Sequence, residues 1–281
     1  MEDLSIILIS YNSQKKIENF LKKVPKKIPV IVVENSNNFE MKKKIEKIYS
    51  NVKVYIKINN GVSSSINFAV KKLSTKYFLQ ISPDINLNLD KIKVFYDLAS
   101  LLNDKFAAIG PRFLHVDEKS HKQISENKDY DSIDSIHGSC MFINKMCFEK
   151  IGGFDENIFL YFEETEYCLR GQRLSFKSYQ TNKLKVFSSG RSIEFKNTAH
   201  EKKIYNLLIW HFIWSKFYFL KKKYNFVLAF MICLPILFRS FIKFFLYKNI
   251  LKKKNNHLKY KFRILGLINS IKGNKSYLRI D

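Results

Sequence analysis

Short runs rich in β-branched residues alternate with amphipathic, lysine-rich segments throughout the N-terminal half of this chain. The apolar runs are "LSIILIS", "IPVIVVE", "NVKVYIKI", "KYFLQIS" and "FAAIG", and the segments between them include "SQKKIENFLKKV" and "LDKIKVFYDLASLL". Nearly continuous Ile and Val runs are typical of strands covered on both faces, and the intervening segments follow the period of a helix. The pattern therefore predicts an α/β domain with a mostly parallel sheet.

Polar residues follow each of the first four predicted strands. They are Ser10, Tyr11 and Asn12, then Glu34, Asn35 and Ser36, then Asn59, Asn60 and Gly61, then Ser82, Pro83 and Asp84. Ligands of open α/β sheets bind beyond the carboxyl ends of the strands, so four such clusters on one rim favour a binding site. Each cluster alone is also ordinary turn chemistry. No G-x-G-x-x-G follows the first strand and no P-loop motif occurs, which disfavours dinucleotide and P-loop sites.

The composition allows a sizeable core, since 46% of the 281 residues are hydrophobic. The formal net charge is +24, which favours an anionic partner such as a nucleotide, a nucleic acid or an acidic membrane surface. Residues 201–281 contain 18 Lys and Arg and two acidic residues. We therefore predict a binding or catalytic domain at 1–200 and a basic, amphipathic helical region at 201–281.

The cysteines and the N-terminus predict a cytoplasmic protein. The four cysteines form no C-x-x-C pair, which predicts reduced thiols, and the short apolar run at the N-terminus predicts no secretory signal.

A second apolar region lies near the C-terminus. Residues 224–238 include 15 positions without a charge, fewer than the about 20 that a spanning helix needs. Pro235 is expected to kink or break this run. Lysine triplets at 221–223 and 252–254 flank it. We therefore predict an interfacial helical hairpin, peripheral on the anionic inner face of the cell membrane. A tilted or re-entrant segment within 224–247 and a buried core helix remain open.

Three glutamates, Glu163, Glu164 and Glu166, crowd into the aromatic stretch "FDENIFLYFEETEYCLR". One explanation is a helix start, where the helix dipole favours negative charge. The other is a catalytic carboxylate whose pKa is raised by partial burial and by the charges of its neighbours. On a helix, Glu163, Glu166 and Arg170 share one side, so Arg170 can orient Glu166, while Glu164 points elsewhere.

Several segments together resemble bacterial family 2 glycosyltransferases of the GT-A fold, particularly the rhamnosyltransferase-like branch. They are "SIILISYNS", "VIVVENSNN", "NNGVSSSINFAV", "FLQISPDIN" and "HGSCMFINKMCFEKIGGFDENIFLYFEETEYCLR". The resemblance implies a Rossmann-like mixed sheet flanked by helices, with a C-terminal helical, basic, membrane-associating extension. It also implies an inverting glycosyltransferase of the hexosyltransferase class that acts in the synthesis of cell-surface polysaccharide such as O-antigen or capsule.

The resemblance implies a nucleotide-sugar donor, dTDP- or UDP-linked, with rhamnose as one candidate sugar. The loops "SYN" and "VVENS" correspond to those that hold the nucleobase and ribose, with Glu34 where the family more usually has Asp. The helix after "NNG" begins where its free amide groups can face a phosphate. The implied donor-binding residues are Ser10, Tyr11, Asn12, Glu34, Asn35, Asn60, Gly61, Asn67, Pro83 and Arg191.

The segment "SPDIN" resembles the family element that holds a divalent metal, Mg²⁺ or Mn²⁺, on the donor diphosphate. Asp84 is the implied metal contact, whereas Ser82 replaces a second carboxylate or an Asn. Ser188 stands where related enzymes often have a histidine ligand. Three explanations stay open: weak metal binding, a metal held by Asp84 with the diphosphate and water, or loss of activity. Arg191 can partly substitute by pairing with the diphosphate.

The segment "FEETEYCLR" resembles the family's F-E-D-x-D-x-x-x-R, in which the carboxylate at the Glu164 position is the general base on the acceptor hydroxyl. Glu163 and Glu166 are the implied contacts to a lipid-linked or oligosaccharide acceptor. The alternatives are a non-catalytic basic adaptor that binds membrane or nucleic acid, and a degenerate transferase that binds donor without turnover. Because clustered arginines and nucleic-acid motifs are missing from the sequence, nucleic acid is not an expected partner. Linkage and oligomeric state, a homo-oligomer included, stay open.

Overall fold

The computed structural model describes residues 3–114, 122–190, 192–195 and 197–279. Contacts divide the chain into two compact units. The first is Met1–Asp155 with Glu164–Glu194, and the second is Glu156–Glu163 with Phe195–Asp281. This division assigns 156–163 to the C-terminal unit, whereas the sequence suggested one boundary at residue 200.

The first unit contains a sheet and six α-helices in its described part. Its strands are β1 (Leu4–Ser10), β2 (Val30–Glu34), β3 (Val52–Ile56), β4 (Tyr77–Ile81), β5 (Ile85–Asn86), β6 (Ile109–Phe113), β7 (Tyr130–Ile133), β8 (Cys140–Asn144) and β9 (Ser178–Ser188). Its helices are α1 (Gln14–Leu21), α2 (Phe39–Ile48), α3 (Val62–Val70), α4 (Lys93–Leu101), which follows a 3₁₀ turn, α5 (Lys145–Ile151) and α6 (Glu163–Arg173).

The strand order is β3-β2-β1-β4-β8-β6-β9-β5, and β7 also pairs with β9. Strands β3, β2, β1 and β4 are parallel to one another and β6 is parallel to β9, whereas β8 is antiparallel to both β4 and β6. The predicted mixed sheet flanked by helices is confirmed. The prediction of a mostly parallel sheet holds for β1 to β4 and for the pair of β6 and β9, whereas β8 interrupts the parallel order and β9 is antiparallel to β5 and β7.

Both faces of the sheet are buried, as the uninterrupted apolar strands predict. On one face Leu8 and its neighbours pack with residues of α1, α2 and α4, and on the other face Ile7 packs with residues of α3, α5 and α6. Strand β2 is buried at every position. All four cysteines are buried and have free thiols.

The second unit is helical in its described part. It contains α7 (Thr198–Lys223), α8 (Phe226–Phe245) with a π-helical continuation at Leu246–Ile250, and α9 (Lys254–Ile271). Its core includes Phe217 of α7, Cys233 of α8 and Leu267 of α9. The unit therefore has three helices and is not the simple hairpin that the sequence predicted.

Helix α8 runs through Pro235 without a break, so the prediction of a break there is wrong. Side chains on both sides of the proline, Cys233 and Leu237, pack in the core of this unit and hold the helix together. The helical stretch Phe226–Ile250 is 25 residues long, longer than the uncharged run suggested, and 17% of its most apolar window is buried. By length and composition it is the one helix in the described part of the chain that could cross a membrane.

The segment 156–163 is anchored within the second unit. The ring of Phe162 stacks on Phe219 at a centroid distance of 5.6 Å, and the Ser215 hydroxyl donates to the Leu160 carbonyl at 2.8 Å. Tyr161 and Phe162 both have φ of 67°, a region that bulky residues rarely adopt. The aromatic contacts therefore stabilise an uncommon backbone path in this segment.

Candidate active site

The loops after β1 and β2 lie side by side in the first unit. Ser10 pairs with Glu34 in the parallel register, and the Asn12 amide donates to the Ser36 hydroxyl at 3.1 Å. Glu34 is fully buried, and its Oε1 accepts hydrogen bonds from the amide and the hydroxyl of Ser36. Its Oε2 has no hydrogen-bond partner within the described residues. The pKa of Tyr11 is raised by burial and by the charge of Glu34.

The loop after β2 is tied to the start of α3. The Asn35 amide group donates to the Ser65 hydroxyl at 2.8 Å, and that hydroxyl donates to the Gly61 carbonyl at 2.9 Å. Gly61 has φ of 98° at the N-cap of α3, where a residue with a side chain would be strained. The free amide groups at the start of α3 thus lie beside Asn35, while Asn60 is exposed next to them.

Asn67, a predicted nucleotide contact, binds the turn after α5 in the structure. Its Nδ2 donates to the Phe154 carbonyl at 2.8 Å, and the Phe154 amide donates to its Oδ1 at 2.9 Å. A Cβ built on Gly153 would lie 2.9 Å from that same Oδ1. Both polar atoms of Asn67 therefore hold the turn after α5, which favours a structural role for Asn67 over the nucleotide contact that the resemblance implied.

Asp84 and Ser188, which are 104 positions apart, are hydrogen-bonded to each other. The Ser188 hydroxyl donates to Asp84 Oδ2 at 2.6 Å, and the Ser189 amide donates to the Asp84 carbonyl at 2.8 Å. Pairing of β5 with β9 sets this contact, with Ile85 opposite Ser188. Arg191, the other residue predicted here, lies outside the described residues.

Glu164 lies on the same rim as Asp84. A Cβ built on Gly138 would be 3.3 Å from Glu164 Oε2, and the Ser82 amide donates to the carbonyl of Ser139, the next residue, at 2.9 Å. Asp84 follows Ser82 by two positions. The general base and the metal contact that the resemblance implied are therefore placed on one edge of the sheet.

The side chain of Glu164 is half-buried. Burial raises its pKa above the ordinary value, and the hydrogen bond that the Thr165 hydroxyl donates to Oε1 at 3.0 Å opposes the rise. Burial, one of the two predicted causes, is thus the largest cause of the raised pKa, and a contribution from the charges of Glu163 and Glu166 stays a prediction. A proton acceptor with a raised pKa is suited to general-base work.

Glu166, a predicted acceptor contact, is paired with Arg170 in the structure. It is fully buried, and Arg170 binds it in a bidentate pair, with Nε and Nη2 each 2.8 Å from its carboxyl oxygens. The Arg170 guanidinium also donates to the carbonyls of Ile151 and Gly153. The pair therefore joins α6 to the turn after α5, and Glu166 is not open to an acceptor. Glu163 is the first residue of α6, and its acceptor role stays a prediction.

The contacts of Gly138 and Thr165 with Glu164 were not predicted from the sequence. Thr165 follows the base directly, which gave no sign that its hydroxyl turns back to the carboxyl. Gly138 belongs to the quoted "HGSC" segment, and a glycine before a buried strand is a sign of close approach by another group. Both residues shape the space around Glu164.

The donor set fits a divalent cation only in part. No group of three or more His, Cys, Asp or Glu side chains in the described ranges could hold a metal ion. Asp84 offers one carboxylate, with the hydroxyl of Ser188 beside it. Mg²⁺ and similar cations are often bound by one or two carboxylates together with substrate phosphates and water. These residues therefore fit a cation that arrives with a diphosphate and do not fit an all-protein metal site.

The amino-acid sequence of this chain is similar to those of known proteins. Residues 5–164, more than half of the chain, match the family described as Glycosyl transferase family 2. A low-salt glycan biosynthesis hexosyltransferase of Haloferax volcanii is 28% identical over 200 residues, which are 62% of this chain and 62% of the relative. The dTDP-rhamnosyl transferase RfbF of Shigella flexneri is 25% identical over 186 residues, which are 58% of this chain and 61% of the relative. Each match spans less than two-thirds of the relative.

Solved structures resemble the fold. A mannosyltransferase of Pyrobaculum calidifontis, in complex with GDP-Man and Mn²⁺, aligns with a TM-score of 0.58 at 12% identity over 96% of this chain and 87% of its own. S. aureus TarS 1–349, in complex with UDP-GlcNAc, aligns with a TM-score of 0.54 at 13% identity over 99% of this chain and 94% of its own. The predicted GT-A fold is confirmed. Because the family match covers the strands and loops that form the rim, from β1 to Glu164, the chain belongs to glycosyl transferase family 2.

Proposed function

We propose that this chain is an inverting glycosyltransferase that moves a sugar from a nucleotide diphosphate to a hydroxyl of an acceptor. The observation that carries the proposal is the position of Glu164, a carboxyl with a raised pKa, on the rim that also holds Asp84. A sugar hydroxyl is a poor nucleophile, and transfer is eased when a carboxylate takes its proton as the new bond forms. Glu164 is the residue in this role.

The donor would lie across the loops after β1 and β2 and the start of α3. Ser10, Tyr11 and Asn12 stand next to Glu34 and Asn35, and the amide groups of α3 favour an anion. Buried Glu34 would shape this pocket through Ser36 and would need to move to touch a nucleotide itself. Asn60, Gly61 and Pro83 stay as the other proposed contacts.

Asp84 would hold a divalent cation, Mg²⁺ or Mn²⁺, together with the diphosphate, and Ser188 orients the Asp84 carboxylate. Such a cation offsets the negative charge that develops on the leaving diphosphate. The chain's own part is to keep Asp84 at the edge of the sheet next to Ser82 and to keep Glu164 ready to take the proton.

The names of the relatives suggest a more specific donor and acceptor, which we propose here. One relative is named a dTDP-rhamnosyl transferase and another acts in glycan biosynthesis by its name, so we propose a dTDP- or UDP-linked donor, with rhamnose as one candidate. The acceptor is a lipid-linked or other oligosaccharide of a surface polysaccharide. The two structural neighbours carry GDP-Man and UDP-GlcNAc, so a GDP-linked donor belongs in the same test panel.

Helix α8 supports a peripheral position on the inner face of the cell membrane. Large apolar side chains such as Met231 and Phe238 are more than 60% exposed on it, and lysines lie before and after it. Apolar faces with flanking cations bind anionic lipid surfaces. Sedimentation with vesicles that contain phosphatidylglycerol should carry the chain down, and Lys252→Gln/Lys253→Gln should weaken that binding. Equal binding to neutral vesicles would contradict the electrostatic part.

The experiment for the activity compares Glu164→Gln with Glu149→Gln, a control on the exposed side of α5. Each is assayed with UDP-, dTDP- and GDP-sugars for release of nucleotide diphosphate and for donor-induced thermal stabilisation. We expect Glu164→Gln to lower turnover about 10²–10⁴-fold, the usual contribution of a general base, while donor stabilisation and the control stay near wild type. Wild-type-like turnover in Glu164→Gln, or loss of donor binding, would overturn the assignment.

A degenerate transferase is the second candidate, because Ser82 and Ser188 leave Asp84 as the single carboxylate of the proposed cation site. It predicts donor stabilisation without release of the nucleotide from any sugar in the panel. Mn²⁺ titration separates the two cases further: the active enzyme should need Mn²⁺ or Mg²⁺ for turnover, and Asp84→Asn should raise the metal concentration that is required.

A further inference from the structure

A groove in the first unit contains aromatic and cationic side chains that the proposed transfer does not use. It consists of two adjoining cavities of about 280 and 400 Å³, which share Lys23, Asn86 and Phe187. These volumes are near the lower end of ordinary ligand pockets. The smaller cavity is also lined by Pro83 and Asp84, so one end of the groove reaches the rim of the sheet. We name this region the Phe187 groove.

Two regular elements build the walls of the Phe187 groove. Lys16 and Asn19 line it from α1, three positions apart on one face of the helix, and Lys23 lines it from the turn that follows α1. Lys185 and Phe187 line it from β9 and, two positions apart, stand on one face of the strand. The lining is therefore a consequence of the fold and not of a flexible loop.

The lysines of the groove have no acidic partner. Lys16 donates to the Ser189 hydroxyl at 3.4 Å and Lys23 to the Asn86 amide oxygen at 3.3 Å. In the ranges that the structure describes, none of Lys16, Lys23 and Lys185 has a carboxylate within 4.0 Å, although Asp84 and Asp90 also line the cavities. Exposed lysine charge without a partner attracts anions.

Phe187 adds an apolar surface among these polar groups. The side chain is 41% exposed, although it lies in a strand and between two cavities. A flat ring beside amide and ammonium donors matches the chemistry of a sugar, which presents C–H groups on one face and hydroxyls at its edge. A small inorganic anion would use the lysines and leave the ring without a role.

We propose that the Phe187 groove binds an anionic saccharide, with the sugar ring on Phe187 and its carboxylate or phosphate on Lys16, Lys23 and Lys185. Because the groove begins at Asp84, the bound saccharide is an acidic part of the acceptor, and this assignment rests on the proposed transferase function. The binding itself needs neither donor nor turnover. The groove thus gives the acceptor a subsite apart from Glu164.

The test measures binding of three probes to the full chain without donor by isothermal titration calorimetry. The probes are trigalacturonic acid, the neutral maltotriose and pyrophosphate. We expect trigalacturonic acid to bind at least tenfold more tightly than either other probe, and to weaken as salt rises. Equal affinity for pyrophosphate would identify a simple anion site, and equal affinity for maltotriose would remove the role of the lysines. Either result, or no binding at all, overturns the proposal.

Variants locate the binding. Phe187→Ala, Phe187→Leu and the triple change Lys16→Gln/Lys23→Gln/Lys185→Gln are each expected to weaken trigalacturonic acid binding at least tenfold. The matched control removes the same charge from exposed lysines outside the groove, Lys43→Gln/Lys47→Gln/Lys71→Gln, and should change affinity less than twofold. If the control weakens binding as much as the groove variant does, the proposal is wrong.

A final variant separates the two proposals. Glu164→Gln should bind trigalacturonic acid like wild type, because the groove does not include Glu164. Normal groove binding in a chain that transfers no sugar would refute the proposed function alone, while normal transfer without groove binding would refute this inference alone.

Discussion

Replacing Arg170 by methionine should destabilise the first unit through a buried carboxylate left without its cation. In the native fold Arg170 donates to both oxygens of Glu166 and to the carbonyls of Ile151 and Gly153. Glu166 has 1% of its side chain exposed, so water cannot replace the guanidinium. Removing one partner of a buried ion pair costs about 3–5 kcal/mol.

That free energy corresponds to a fall in Tm of about 6–20 °C for a unit of this size, at about 2–4 °C per kcal/mol. Replacing both partners, Arg170→Met/Glu166→Met, should recover most of the loss, because an apolar pair of similar volume leaves no charge in the core. Gln172→Met, an exposed change on the same helix, is the control and should alter the free energy of unfolding by less than about 0.5 kcal/mol.

The assay is urea unfolding followed by far-UV circular dichroism, with hydrogen exchange on peptides of α6 and β8. Tryptophan fluorescence does not report on this unit, since Trp210 and Trp214 both belong to the helical one. A loss below about 1 kcal/mol in Arg170→Met would refute the reasoning. So would a Glu166→Gln variant that keeps its stability and only raises the acceptor KM, as expected if Glu166 were an acceptor contact.

Three further predictions follow from single side chains. Because burial raises the pKa of Glu164, kcat/KM should fall on acidification with a midpoint above 4.5. The same raised pKa means that the wild type loses stability as pH rises through that pKa. In thermal scans from pH 4 to 8, Glu164→Gln should therefore become increasingly more stable than the wild type. Gly153→Ala should lower Tm more than Gly273→Ala, since both have positive φ but only at Gly153 would the new Cβ meet a neighbour within 4 Å; equal losses would contradict this. Gly266→Ala would bring a Cβ within 2.5 Å of the Trp210 carbonyl oxygen. The free energy of unfolding of the helical unit, measured in urea by tryptophan fluorescence, should therefore fall by about 1–3 kcal/mol.

Local pattern predicted the parallel half of the sheet well. "LSIILIS" is β1 residue for residue, and "IPVIVVE" contains β2 from Val30 to Glu34. A strand buried on both faces needs an unbroken apolar run, and that need is visible in the sequence itself. The rest of the sheet was harder to predict, because β9 mixes buried and exposed positions and pairs with β5, β6 and β7, all far from it along the chain.

The candidate site, like the sheet, was predicted only in part from the sequence. The family resemblance implied the roles of Glu164 and Asp84, and the spacing of Glu166 and Arg170 predicted their ion pair. The further partners that hold Asn67 and the Glu166–Arg170 pair were not predicted, because spacing does not reveal them. Asn67 binds Phe154, which is 87 positions away, and the Arg170 guanidinium reaches back to the turn at 151–153.

The sequence by itself determined the alternation of strands and helices, the polar rim and the presence of one carboxylate segment after an aromatic stretch. Only the tertiary structure decided which carboxylate faces Gly138, that the Glu166 carboxylate is buried, and that Ser188 meets Asp84. The physical reason is that a periodic pattern reports which side of an element is buried, whereas a hydrogen bond or a raised pKa depends on what the fold brings to that side.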